Sequence, residues 1–191
     1  MKTVLTEALL KPAMKTLAAA NAATSARYPG DSMDRQPVHT VYGGAHLFRA
    51  DTTVKLAEIA RKSLNTYAGD AAKFAKVVGL AATDAKRQSW LETEVLRRVD
   101  AKLKCEAIED FRIDFEDGFG VRPDAEEDKV AVEAAEQLAT AMKNGTLPPF
   151  IGLRVKALGE DVKRRAVRTL DLFVTTLVQK TGGKVPRPFF V

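Results

Sequence analysis

Apolar and polar positions along this chain alternate in two rhythms, a helical one and an extended one, and the two take turns. Residues 3–24 have a helical pattern, with Pro12 as a kink or restart because its ring nitrogen has no proton to give the preceding turn. The turn-rich run from Arg27 to Ser32 closes this part, so residues 1–35 read as a helical extension and linker. Val38–Tyr42 is short and β-branched, a strand that runs into Gly43 and Gly44. A helix follows from about Asp51, which can cap Thr53 or Val54, with Leu56, Ala60, Leu64 and Tyr67 as its buried stripe. Gly69 and Asp70 end it and open a short helix that stops at Gly79. Thr83 then caps a longer one carrying Leu91, Val95, Val99 and Leu103.

A different pattern appears at 110–116. Phe111, Ile113 and Phe115 alternate with Arg112, Asp114 and Glu116, which predicts a strand with one apolar and one charged face. A charged face on an internal strand is costly unless it lines a wet cavity or meets opposite charge. Asp124, with Glu127 three residues on, resembles a capping box for a helix that buries Val130, Ala134, Leu138 and Met142 and stops at Asn144-Gly145. A second such strand spans 150–156, where Ile151, Leu153 and Val155 oppose Gly152, Arg154 and Lys156. A helix from about Glu160 turns Val162, Ala166, Leu170, Phe173 and Leu177 inward. A last strand opens at Phe189–Val191.

Strands that alternate with helices demand parallel crossovers, hence an α/β sheet. A (β/α)8 barrel takes about 250 residues, and an unclosed parallel sheet exposes an apolar edge. The expected fold is therefore the N-terminal half of a (β/α)8 TIM-type barrel over residues 36–191, truncated at Val191, behind the helical extension. A complete small open α/β domain is the competing architecture.

Composition narrows the function. With 191 residues, 46% of them hydrophobic, the chain can bury one sizeable core. One cysteine, Cys105, excludes an internal disulfide and fits a reducing compartment. No apolar run is long enough for a transmembrane helix, and Glu7, Lys11, Pro12 and Lys15 interrupt anything like a signal peptide, so a cytoplasmic protein without a membrane partner is expected. The net charge is +5, with Lys163, Arg164, Arg165 and Arg168 the densest basic group. These read as a solvated helix face. Without an aromatic-interleaved basic patch, nucleic acid is not the expected partner, and a small anionic substrate suits the charge better.

The candidate chemistry lies at strand ends, where (β/α) enzymes build their sites. Asp114, Glu116 and Asp117 offer hard oxygens that suit Mg²⁺ or its waters, or they are a structural cluster that pairs with Arg112 and caps a turn. Arg154 suits bidentate binding of a carboxylate, or a salt bridge to Asp114 or Glu116; one arginine can do both. Gly43-Gly44-Ala45-His46 permits an anion-binding nest, or is an ordinary strand-to-helix glycine pair. His39 and His46 are the only histidines, each a potential acid or base or a plain hydrogen-bonding group. There is no nucleophile elbow, Walker loop, dinucleotide fingerprint or zinc spacing.

At these residues the chain resembles the aldolase/citrate-lyase family (citrate lyase β-subunit-like, within the phosphoenolpyruvate/pyruvate barrel superfamily). Ile113-Asp114-Phe115-Glu116-Asp117-Gly118 is similar to that family's strand ending in Asp-Leu-Glu-Asp-Ala. Leu153-Arg154-Val155-Lys156 resembles its Val-Arg-Val-Asn strand, Arg122–Asp128 its following helix entry, and Thr40–Gly44 its Phe-Val-Pro-Gly strand. The order agrees over about residues 37–191, with Glu-Asp-Gly marking a separate bacterial branch. The resemblance implies a (β/α)8 barrel and carbon–carbon lyase or aldolase chemistry with Mg²⁺ (or Mn²⁺), on a 2-oxo acid or a CoA thioester. It implies that Arg154 binds the substrate carboxylate, with Gly43, Gly44 and His46 beside it. Glu116 and Asp117 would support the metal's water shell, with the direct ligands expected beyond Val191, so activity of this chain alone is in doubt. Gly43 in place of proline, Lys156 in place of asparagine, and a long insertion at 70–104 depart from the pattern. A non-catalytic acid-binding or oligomerising barrel and a phosphoenolpyruvate-linked phosphotransferase are the alternatives. Barrel helices often pair, so a homo-oligomer is expected.

Overall fold

The computed structural model describes residues 6–31, 33–82 and 84–191. The chain divides into two compact units, one ending at Gln36 and one running from Pro37 to Val191. The first holds helix α1, Glu7–Arg27, which continues through Pro12. The Thr16 hydroxyl donates to the Pro12 carbonyl at 3.2 Å.

In the second unit, strands β1 (Thr40–Gly44), β2 (Asp110–Asp114), β3 (Phe150–Arg154) and β4 (Phe189–Phe190) form one parallel sheet in the order β1-β2-β3-β4. A 3-10 turn (Ala45–Leu47) and helices α2 (Thr52–Ala68), α3 (Ala71–Val78) and α4 (Ala85–Cys105) join β1 to β2. Helix α5 (Asp124–Asn144) joins β2 to β3, and α6 (Lys163–Thr181) joins β3 to β4. The α/β class with a parallel sheet is as the alternating pattern predicts.

Period-two alternation separates the two faces of the sheet. Val41, Phe111, Ile151 and Phe189 stand in one row and Ile113 and Leu153 in another on the same face. They form a single core with Val130, Ala131, Ala134 and Leu138 of α5 and Phe173 and Leu177 of α6. Each large side chain sealed this way contributes about 1.5–3 kcal/mol relative to exposure. The other face carries Thr40, Asp110 and Phe150, then Tyr42, Arg112, Gly152 and Phe190, then Gly44, Asp114 and Arg154. Its middle is polar, with the pairing gathered on one oxygen of Asp110. Asp110 accepts from the Thr40 hydroxyl at 2.8 Å and from Arg112 at 3.0 and 2.9 Å. The Arg112 guanidinium lies 4.4 Å from the centre of the Phe190 ring. Gly152 leaves it room, since a Cβ there would stand 2.7 Å from Arg112 Nη1 and 2.3 Å from the Phe190 carbonyl oxygen.

Several local expectations need correction. The first strand is 40–44, not 38–42, because the Val38 N–H donates to the Glu109 carboxylate at 2.6 Å instead of joining the ladder. Asp51 precedes α2 without capping it; its carboxylate pairs with Lys55 at 2.8 Å. Tyr67 is exposed and Ala68 beside it is buried. Thr83 lies outside the described residues, and Asp84 caps α4 by accepting from the Arg87 N–H at 2.9 Å. There is no capping box at α5, whose N-cap is Pro123, because Glu127 is turned inward to a lysine. Helix α6 starts at Lys163, and Arg165, expected on a solvated face, keeps only 10% of its side chain exposed, packed against α5. Asp70 caps α3 and left-handed Gly79 and Gly145 end α3 and α5, as read from sequence. Among the described residues no helix is long and apolar enough to cross a membrane.

Candidate functional site

The sheet's last row brings Gly44, Asp114 and Arg154 side by side at the C-terminal ends of three strands. Asp114 is buried, and its two carboxylate oxygens are spent on the loop that follows. Oδ1 accepts the Glu116 N–H at 2.8 Å and Oδ2 the Gly118 N–H at 2.9 Å. This side-chain-to-backbone turn folds residues 115–119 back over the strand end, the work aspartate does well after a strand. Gly118 then meets Gly44 so closely that a Cβ on Gly44 would stand 2.2 Å from the Gly118 carbonyl oxygen. Gly43 is equally confined, since a Cβ there would lie 2.5 Å from the Phe111 ring. Both glycines have a packing reason for their smallness.

Arg154 collects the charge. Its Nη2 donates to Asp117 at 3.0 Å and contacts the Glu116 carboxylate, and Nη1 stands 3.6 Å from Asp114. The guanidinium lies 5.5 Å from the centre of the Tyr42 ring. Desolvation works against its charge, but the hydrogen bond to Asp117 and the charges of Glu116 and Asp114 outweigh it and raise its pKa. The side chain remains 36% exposed, so an incoming anion can reach it. Asp114, Glu116, Asp117 and Arg154 are thus one ion-paired group with more negative than positive charge. Arg154 makes the salt bridges to Asp114 and Glu116 that its strand position predicted, while Arg112 pairs with Asp110 instead of with the strand-end acids.

His46 follows in the 3-10 turn, its ring edge-on to Phe119 at 5.6 Å. Nδ1 is buried and has no hydrogen-bond partner among the described residues. Burial, then the nearby Arg122 charge, lower its pKa against the opposing pull of Glu126. His39 sits at the other end of β1, where Nε2 accepts from the Glu109 N–H at 3.4 Å.

Beside the loops after β2 and β3 lies a second group. Lys156 donates to Glu127 at 2.6 Å and to the Phe115 carbonyl at 3.0 Å. Glu127 is buried and also accepts from Thr169 at 2.5 Å, with Arg165 Nε at 3.4 Å. Sequence reasoning missed this network because a Glu in a first helical turn looks like a cap. The signal available was Lys156 sharing the parity of Arg154. The platform role of Tyr42 was missed too; a lone tyrosine on a short strand gives no sign of what will lie over it.

The donor set bears on the metal that the resemblance implies. Hard carboxylate oxygens with excess negative charge suit the water shell of a divalent cation. Among the described residues, however, no three His, Cys, Asp or Glu side chains converge so as to hold one directly. Glu116 and Asp117, held by Arg154, are the partly or fully exposed carboxylates at this strand end.

A family model described as "Domain of unknown function (DUF6986)" matches residues 17–191, and the chain belongs to that family. No curated protein and no solved structure matches the chain.

Proposed function

We propose that this DUF6986 member uses the strand-end group around Arg154 as part of a carbon–carbon lyase or aldolase site. Its substrate would be a 2-oxo acid or a related acyl thioester, and β1–β4 would be the first four strands of a (β/α)8 barrel. One observation carries the reading: Gly44, Asp114 and Arg154 lie in one row at the C-terminal ends of sequentially ordered parallel strands, on the face away from the helices. A sheet that never reverses its strand order keeps its right-handed crossovers on one side, as a barrel does, while a doubly wound sheet reverses midway. Strand C-termini are also where such folds bind ligands.

In this reading Arg154 holds the substrate carboxylate through a bidentate contact. Tyr42 and the three acids fix its guanidinium plane before substrate arrives, so little orientation is left to settle on binding. A divalent cation, when bound, would supply Lewis-acid stabilisation of enolate charge, and Glu116 and Asp117 would hold its waters. His46, whose pKa burial lowers, stands close to the glycine turn.

The first test is binding of oxalate, a flat dicarboxylate shaped like pyruvate enolate, with and without Mg²⁺. Arg154→Ala is expected to weaken it about tenfold or more, the loss of a charge-assisted contact, and Arg154→Lys to recover part. Undiminished binding by Arg154→Ala removes the assigned role. The three carboxylates already on Arg154 favour a second reading, a non-catalytic barrel in which the arginine ties two loops together. In that case oxalate binding is indifferent to Mg²⁺ and no 2-oxo acid is turned over.

A further inference from the structure

We propose that an arginine-lined cavity between the N-terminal ends of α5 and α6 is a binding site for the phosphate group of a small phosphorylated molecule. It is separate from the Arg154 group. The cavity measures about 400 Å³ and is lined by five cationic side chains, Arg122, Lys156, Arg164, Arg165 and Arg168, against three carboxylates. Two more carboxylates, Glu126 and Asp128, pair with Arg122, Arg165 and Arg168 from beside it, so the charge is balanced overall and the local positive charge is that of Arg164.

The cations differ in how they are held. Arg165 and Arg168 converge on Asp128, Arg168 through two nitrogens at 2.6–3.2 Å, so this wall is fixed before any ligand arrives. Both hold Asp128 below the usual carboxylate range, the Arg168 hydrogen bond most of all. Lys156 is tied to Glu127. Arg122 is anchored by its Nε bond to the Phe119 carbonyl at 2.9 Å, pairs through Nη1 with the Glu126 carboxylate and stacks 4.8 Å from the centre of the Phe119 ring. Arg164 is different. Among the described residues it has no hydrogen bond and no ion pair, and it stands exposed at the rim. An organised cationic wall beside one uncommitted guanidinium is an arrangement that recognises a multiply charged oxyanion, because arginine's fork matches phosphate oxygens.

Two backbone features add to this. Helices α5 and α6 both begin at the cavity without a side-chain cap, in contrast to α3 and α4, which Asp70 and Asp84 cap; the first turn of α5 carries Asp124, Glu126 and Glu127, so α6 is the helix start with no acid of its own. Helix α6 also opens with Lys163, Arg164 and Arg165 and no acid. Cations at the positive end of a helix dipole are unfavourable unless an anion lies between them. The exposed Val121 and the partly buried Val162 form an apolar flank suited to the organic part of a ligand.

The test is calorimetric titration of the protein with pyrophosphate at physiological ionic strength. Arg164→Glu changes an exposed, unpaired side chain, so the fold is expected to survive, which circular dichroism checks. Lys143→Glu makes the same charge change in the last turn of α5, at the far end of that helix. Binding weakened at least about tenfold by Arg164→Glu and less than twofold by Lys143→Glu supports the site. Equal losses in both variants, or no binding by the unmodified protein, overturn it. Tighter, Arg164-dependent binding of a single-stranded RNA oligomer that displaces pyrophosphate also overturns it, since the partner would then be a polymer. None of these readings requires turnover, so failure here leaves the proposal for Arg154 standing, and the reverse holds as well.

Discussion

Replacing Glu127 with alanine tests whether the α5–α6 corner is held by charge. The carboxylate is 1% exposed and accepts from Lys156 at 2.6 Å and Thr169 at 2.5 Å, with Arg165 Nε at 3.4 Å. Removing it leaves the Lys156 ammonium, itself only 18% exposed, and the largely buried Arg165 without that counter-charge. Breaking one side of a buried pair costs about 3–5 kcal/mol, mostly because the other charge is left stranded. For a chain of this size about 1 kcal/mol lowers the melting temperature by roughly 2–4 °C, so the fall should be roughly 6–20 °C. Urea unfolding gives the free energy directly. The paired change Glu127→Leu with Lys156→Met removes both charges and should recover most of the loss, because the hydrophobic replacement of a buried pair is close to neutral. If Glu127→Ala alone costs less than about 1 kcal/mol, the pair behaves as a surface salt bridge and the burial argument is wrong.

Gly44→Ala should destabilise by about 1–3 kcal/mol, the usual range for overpacking, because its Cβ would collide with a backbone carbonyl that cannot rotate away. Urea denaturation checks this, and an unchanged midpoint would mean that β1 and the loop after β2 can separate freely. His46 has a folded-state pKa below its ordinary 6.5, so the unfolded chain binds more protons in the interval between the two values. Its contribution to stability is thus complete above about pH 6.5 and is lost as the pH falls through that interval. An NMR titration of the ring proton should show the low midpoint, and His46→Phe should flatten the pH dependence of unfolding there; a midpoint at or above 6.5 contradicts the burial of Nδ1.

The sheet was legible in sequence where a single physical rule governed it. Phe111, Ile113 and Phe115 alternate with charged neighbours, and that period of two fixed which face met the helices before any coordinate was known. Val130, Ala134 and Leu138, at helical spacing, face the same core. What failed were readings of short polar residues near helix starts, since Asp and Glu there can cap, pair along the helix, or turn inward with nearly equal local preference. Asp51 paired with Lys55, Asp124 left the cap to Pro123, and Glu127 found a partner 29 positions away. Such choices are settled by tertiary neighbours that a local window does not contain. The Arg154 group was half legible for the same reason. Its strand and parity came from the pattern, but the stacking on Tyr42 depends on a register across two strand pairs that no single segment encodes.

The polar face of the sheet bears on whether this is an open sheet or part of a closed barrel. On an open sheet, a pair such as Asp110 and Arg112 would be rinsed by water and contribute little, about 0–1 kcal/mol. Instead the Asp110 side chain is 1% exposed and that of Arg112 17%, with the Phe190 ring over the guanidinium and Gly152 leaving it space. Asp110 Oδ1 is buried with no partner among the described residues, a condition that costs roughly 1–3 kcal/mol unless a donor reaches it. An open sheet has little reason to carry that cost, because one more exposed position would let water relieve it. A barrel does, since its inner layers are packed from alternate strands and a donor can come from the opposite side. One layer up the case differs: Asp114 is buried and bonded to the loop that follows, while Glu116 and Asp117 keep 32% and 81% of their side chains exposed to water. The buried acceptor of Asp110 is therefore the feature of this face that the proposed barrel would account for, and the strand-end acids are not.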